Sequence, residues 1–385
     1  MRKKLYWSVF FLNFSLALSA YINSLFIESQ LGARAVGPAY ALVSLLLLFG
    51  LALVPELLAR APRRLRLLTN LFLILKIVVC LVLVYAKWPP AILLAFIAFD
   101  TLGYLARFNL DLTLEHLTTN RETGRIRGFF LTITNAAWLA APLLVGTLLG
   151  TTEDYAKIYW LVALALIPAL YFSATSRKVV TKNLPGQFFP ILLKVFRHRN
   201  NHYRQIYLVM LADFLLNLFY ALMVIYLPLH LHNTLGFAWP TIGLIFTIML
   251  LPFVIVTYPL GWLADKKWGE KEIMALGFTL AGVATLFIPQ ITSTNLLVWA
   301  GILFATRVGA ASIEIMKETY LFKKIEAKDI EVLSLSRNLL PLAYLLAPLI
   351  GSIVLFYSST TTIFTALGLI TLLGIIPTLA LKDTR

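Results

Sequence analysis

Twelve stretches of predominantly apolar residues follow one another along this chain, at approximately 5–28, 36–58, 67–86, 91–112, 128–149, 158–175, 205–230, 241–260, 273–289, 296–316, 333–356 and 361–381. A helix needs about 20 such residues to cross the hydrocarbon core of a bilayer. Most of the chain is thus committed to spanning helix, and the predicted fold class is an all-α integral membrane protein with 12 transmembrane helices. Polar punctuation marks several ends: Ala59 to Arg66, Lys87 to Pro90, and Gln290 to Asn295. Pro142, Pro168, Pro252, Pro341 and Pro348 fall inside spans, where neighbouring helices can satisfy the backbone groups they free. Only 13% of the 385 residues are charged, against about a quarter in ordinary soluble domains. A water-soluble fold could not cover its surface with so few charges. The single cysteine, Cys80, excludes a disulfide scaffold.

The net charge of +15 would suggest nucleic acid in a soluble protein. Here it has another origin. Basic residues in the connections gather on one side of the predicted membrane, the other side holding Arg34, Lys87 and Lys157. Lys and Arg accumulate in cytoplasmic loops, so both termini are expected in the cytoplasm of a multi-pass protein of the plasma (cytoplasmic) membrane, with no nucleic-acid partner. Met1 to Ala20 imitates a secretory signal, but the apolar run continues to Ile27, and the segment is read as the first span.

The longest polar connection divides the chain into 1–175, an N-terminal six-helix bundle, 176–204, a cytoplasmic central loop, and 205–385, a C-terminal six-helix bundle. Within the loop, Phe188 to Phe196 reads as a short amphipathic helix on the inner leaflet. A shift of 206 residues (243 − 37) pairs Gly37 with Gly243, Gly103 with Gly309, and Ala141-Pro142-Leu143 with Ala347-Pro348-Leu349. Two pseudo-symmetric six-helix bundles are the expected result.

Between spans eight and nine stands Gly261-Trp-Leu-Ala-Asp265-Lys266-Lys-Trp-Gly269-Glu-Lys271. This resembles the cytoplasmic signature of the major facilitator superfamily, with one residue inserted before the second glycine. In physical terms, a glycine permits close approach of a helix end, an aspartate can face a helix N-terminus, and the basic residues can pair with acids nearby. The matching loop of the first half, with Glu56, Arg60, Arg63 and Arg64, lacks the glycine and aspartate. Ala141, Pro142 and Gly146 on span five, and Ala347, Pro348 and Gly351 on span eleven, are similar to an element of proton-coupled exporters in that superfamily. Small residues at such spacing also simply let membrane helices pack.

The resemblance implies a secondary active transporter that moves a small molecule by alternating access, with a site at mid-depth between its halves. It also implies that spans one, four, seven and ten line that cavity. A proton-coupled antiporter of the cell inner membrane, exporting lipophilic or cationic compounds, is the expected function. A nutrient or metabolite importer or uniporter, and a transport-inactive scaffold or sensor, are the alternatives. Expected partners are a small-molecule substrate, protons and the lipid bilayer, and the chain is expected to act as a monomer. No enzyme activity, cofactor or metal site is expected: His198 and His202 are four apart but lack a third ligand nearby.

A charge at mid-bilayer is costly unless paired or wetted, which makes each one a functional candidate. Those candidates are Lys76, Asp100, Asp213 and Arg307, with Asp100 expected to pair with Lys76 and Asp213 with Arg307. Asn13, Asn23, Tyr104, Asn135, Asn217 and Tyr220 are the uncharged cavity candidates. A cytoplasmic latch is expected in which Glu314 pairs with Lys266 or Lys271, Asp111 with Arg60, Arg63 or Arg64, and Glu56 with Arg337.

Overall fold

A computed structural model of the chain describes residues 2–117, 123–176, 201–266, 268–324 and 339–382. Among them there is no strand. Eleven helices are long and apolar enough to cross a membrane, and a bent pair makes a twelfth. That pair, α1 (Arg2–Ala20) and α2 (Asn23–Leu31), forms the first span, bent by 47° at Tyr21 and Ile22. The next five are α3 (Ala33–Arg60), α4 (Leu65–Tyr85), α5 (Pro89–His116), α6 (Thr123–Leu149) and α7 (Tyr155–Ala174). Then come α8 (Asn201–Leu229), which continues into a π-helical turn at His230–Thr234, and α9 (Trp239–Leu250). Pro252 interrupts the eighth span, which resumes as α10 (Pro252–Ile255) and α11 (Thr257–Lys266). The chain ends through α12 (Glu270–Phe287), α13 (Leu296–Lys324), α14 (Leu339–Tyr357), α15 (Thr360–Leu373) and α16 (Ile375–Leu379). The expected inner-leaflet helix, together with His198 and Arg337, lies outside the described residues, as does the beginning of the eleventh span.

The exposed surface carries the signature of a lipid-facing protein. Phe49, Leu67, Leu94, Leu164, Ile353 and Leu379 all stand outward, where hydrocarbon, unlike water, solvates them without penalty. Tyr85 and Trp88 are exposed at the turn between α4 and α5, the level at which amphipathic rings gather in membrane proteins. Several hydroxyls buried inside spans bond back to their own helix, such as Ser44 to the Tyr40 carbonyl at 2.8 Å and Thr285 to that of Ala281 at 2.6 Å. Each polar group is thereby satisfied without a partner helix.

Close packing resolves the chain into two units, Met1–Leu184 with Ala238–Thr247, and Pro185–Phe237 with Ile248–Arg385. In the first, α6 and α9 meet backbone to backbone: a Cβ on Gly146 would stand 2.6 Å from the Trp239 carbonyl oxygen, and one on Gly243 2.5 Å from that of Pro142. A methyl group fits at neither position. Leu47, Val54 and Leu58 of α3 pack with Leu65, Leu105 and Leu112, and Tyr104 lies against this apolar cluster. In the second unit, a Cβ on Gly309 would lie 2.5 Å from the Gly277 carbonyl oxygen and 2.6 Å from the Ala281 nitrogen, so α12 and α13 also touch through their backbones. Gly351 makes room for the phenol of Tyr226. The small residues of spans five and eleven therefore act, in this structure, as places of close packing.

Candidate functional site

Asp213, Asn217 and Tyr220 are spaced so that they share one face of α8, because residues three and four apart stack on a helix surface. Arg307, Glu314 and Lys317 fall on one face of α13 for the same reason. The two faces meet antiparallel. The Lys317 ammonium donates to Asp213 Oδ1, and Asn217 Nδ2 donates to the same oxygen at 2.8 Å. The Tyr220 hydroxyl donates to Glu314 Oε2 at 2.7 Å. Further along, the Arg307 guanidinium lies 5.2 Å from the ring centroid of Phe219 and 5.5 Å from that of Tyr220. Arg307 is only 2% exposed, and its Nε and Nη1 have no hydrogen-bond partner. Phe253, on the short α10, packs at 6.2 Å from the Tyr220 ring.

This corrects the expected pairing of Asp213 with Arg307. Helix α13 runs on to Lys324, so Lys317 sits seven residues inside its end (324 − 317), and a long lysine stem can carry its ammonium further into the bundle. Arg307, ten residues earlier (317 − 307), lies too far along the helix to compete.

The first unit holds a second polar cluster. Asn23 opens α2 just beyond the bend of the first span; its Nδ2 donates to Asp100 Oδ1 at 3.2 Å, and its Oδ1 accepts from the Tyr159 hydroxyl at 3.0 Å. Lys76 is fully buried but is not ion-paired with Asp100: it donates to the Phe99 carbonyl at 3.0 Å and stands 3.6 Å over the Phe99 ring centroid. Gly103 leaves the space that this ammonium fills. Asp213 is thus reached by Lys317, and Asp100 by Asn23, which Tyr159 holds in turn; neither pairing was expected from the sequence. The α1–α2 bend was a missed signal of a different kind, since no glycine or proline stands at Tyr21 and Ile22.

The remaining candidates are dispersed. Asn13 Nδ2 donates to the Val9 carbonyl at 2.9 Å, leaving its buried Oδ1 unpartnered. Asn135 is half-buried on α6, and Tyr104 belongs to the apolar cluster already described. The expected latch takes a different form. Glu314 is held by Tyr220, and Lys271 lies 3.6 Å from Glu272. Glu270, buried at the start of α12, pairs instead with Lys323. No ion pair joins Asp111 to Arg60, Arg63 or Arg64 among the described residues, and Glu56 is exposed. Gly261 faces open space, so close approach does not require a glycine there, whereas Gly269 precedes α12 in extended geometry. Arg337 and the side chains of Asp265 and Lys266 lie outside the described residues.

Twelve spans that bury charges within helical units make an α-helical membrane protein. The family model described as the Major Facilitator Superfamily matches residues 111–321 and 240–385. The chain belongs to that superfamily, a group of transporters, and is not an enzyme. No curated protein matches it in sequence. Among solved structures, a mutant of the nucleoside transporter NupG superposes with a TM-score of 0.75 at 12% identity, covering 98% of each chain. That similarity extends the fold over the whole length.

Proposed function

We propose that this transporter is a proton-coupled carrier of a small polar solute, working by alternating access in the cytoplasmic membrane with both termini inside. The observation that carries the reading is the Asp213–Lys317 pair, which joins two helices long enough to cross a bilayer. A carboxylate whose charge is balanced by one movable ammonium can take up a proton when that ammonium swings away, which links protonation to helix movement. The bias of basic residues toward one set of connections supports the orientation.

Uptake of a polar metabolite is favoured over export of lipophilic or cationic compounds. The deep acids are each engaged, Asp213 by Lys317, Glu314 by Tyr220 and Asp100 by Asn23, so an incoming cation would have to displace a partner. The likeness to NupG, a nucleoside transporter, supports the same choice. Purified protein in proteoliposomes, given an imposed pH gradient and a panel of nucleosides, sugars and amino acids, tests the reading. Gradient-driven accumulation of one class, abolished in Asp213→Asn, is the expected result. Accumulation indifferent to both the gradient and that substitution sinks proton coupling through Asp213.

A further inference from the structure

Arg307 differs from the other charges of the second unit. Asp213 has Lys317, and Glu314 has the Tyr220 hydroxyl, but the Arg307 Nε and Nη1 donate to nothing, and no described carboxylate pairs with the guanidinium. An arginine cannot escape this by losing its proton. A buried charge is tolerated when it is paired, and the faces of Phe219 and Tyr220 offset only part of the cost. The Tyr220 ring approaches Arg307 while its hydroxyl holds Glu314, which keeps the nearest acid of α13 engaged elsewhere.

We infer that Arg307 is the binding residue for an oxyanion, the carboxylate or phosphate group of the transported solute. The planar guanidinium presents donors in forks that match two oxygens of such a group, and each of its two forks, one including Nε and the other Nη1, contains a buried donor with no acceptor. Depth selects a dissolved ligand over a lipid. Arg307 lies eleven residues from the start of α13 at Leu296 and seventeen from its end at Lys324, which is about 16 Å or more of helix on either side, beyond the reach of headgroup phosphates. Phe219 and Tyr220 set rings beside the guanidinium, with Phe253 packed against Tyr220 behind them, and exclusion of water strengthens an ionic contact there. This inference rests on the transport reading above and names the chemistry of its solute.

The test is thermal stabilisation of the purified full-length protein in phosphatidylcholine nanodiscs, titrated with benzoate, succinate and inorganic phosphate, with benzamide as the neutral match to benzoate. Saturable stabilisation by at least one oxyanion and none by benzamide is expected. Arg307→Gln should weaken the binding at least tenfold, and Arg307→Lys, which keeps charge but not the fork, should weaken it by less. A variant that fails to fold is replaced by Phe219→Leu, which removes one stacking ring and should weaken the same oxyanion two- to fivefold. Absence of stabilisation by all three oxyanions, or equal binding by wild type and Arg307→Gln, overturns the assignment. The proteoliposome assay separates the two readings. Gradient-driven transport of a neutral solute unaffected by Arg307→Gln leaves the carrier standing and removes the oxyanion. Oxyanion binding without any transport does the reverse.

Discussion

Asp100 in the first unit is reached by an amide, the Nδ2 of Asn23, whereas Asp213 in the second lies directly against the ammonium of Lys317. The first unit spreads its cluster over three helices: Asn23 on α2, Asp100 on α5 and Tyr159 on α7 form a chain of hydrogen bonds. Its buried lysine is spent on the Phe99 carbonyl and ring. The second unit concentrates its polar groups between two antiparallel helices, α8 and α13, with opposite charges in contact. A network tied across three elements resists displacement of any one of them. A two-helix ladder with a flexible lysine can change partners while its helices stay packed. The difference makes the first cluster the candidate brace and the second the candidate moving part.

The largest effect expected from this contrast is at Lys317. Lys317→Leu strands Asp213 as a buried charge and should cost about 3–5 kcal/mol, seen as a steep loss of thermal stability in detergent. The double variant Asp213→Leu with Lys317→Leu should recover most of it, and failure of that rescue would break the idea of a mutually dependent pair. Next come the glycines of the internal repeat. Gly309→Ala forces a methyl against the backbone of Gly277 and Ala281 and should cost about 1–3 kcal/mol. Gly103→Ala meets only the flexible ends of Lys76 and Leu16 and should lower the melting midpoint by less; equal losses at the two sites would contradict the packing described. Asn23→Ala removes both links of the three-helix chain and should cost about 1–2 kcal/mol. Smallest is Tyr159→Phe, where a single interhelical bond is worth about 0.6 kcal/mol on average inside membranes. Its midpoint should barely move, while transport persists if the first cluster is a brace.

Run length and loop charge make the spans legible, because a bilayer imposes a minimum apolar length whatever the sequence detail. The shift pairing Gly103 with Gly309 joins two glycines with different neighbours: Gly309 lies against the backbone of the preceding span, and Gly103 against the side chains of Lys76 and Leu16. Partner choice was less accessible. Lys317 reads as the end of a span until the helix is seen to continue to Lys324, and only then does its stem reach Asp213. Lys76 and Asp100 occupy neighbouring depths, yet Asn23, delivered by a bend that no proline or glycine announces, bonds the acid. Depth follows from counting residues. Azimuth, the direction a side chain takes around its helix, depends on how neighbours cross, and apolar composition all round the helix gives no stripe from which to read it.

Cys80, the chain's one cysteine, is completely buried on α4. An aqueous maleimide therefore has nothing to react with on the native surface, and a thiol introduced at an exposed position becomes the sole labelled point. Spin or fluorescent probes placed one per unit would report opening and closing directly, without first stripping cysteines from the wild-type background. The same shielding makes the folded state self-reporting, since reagent uptake by the unaltered chain would signal that α4 had come apart from its neighbours.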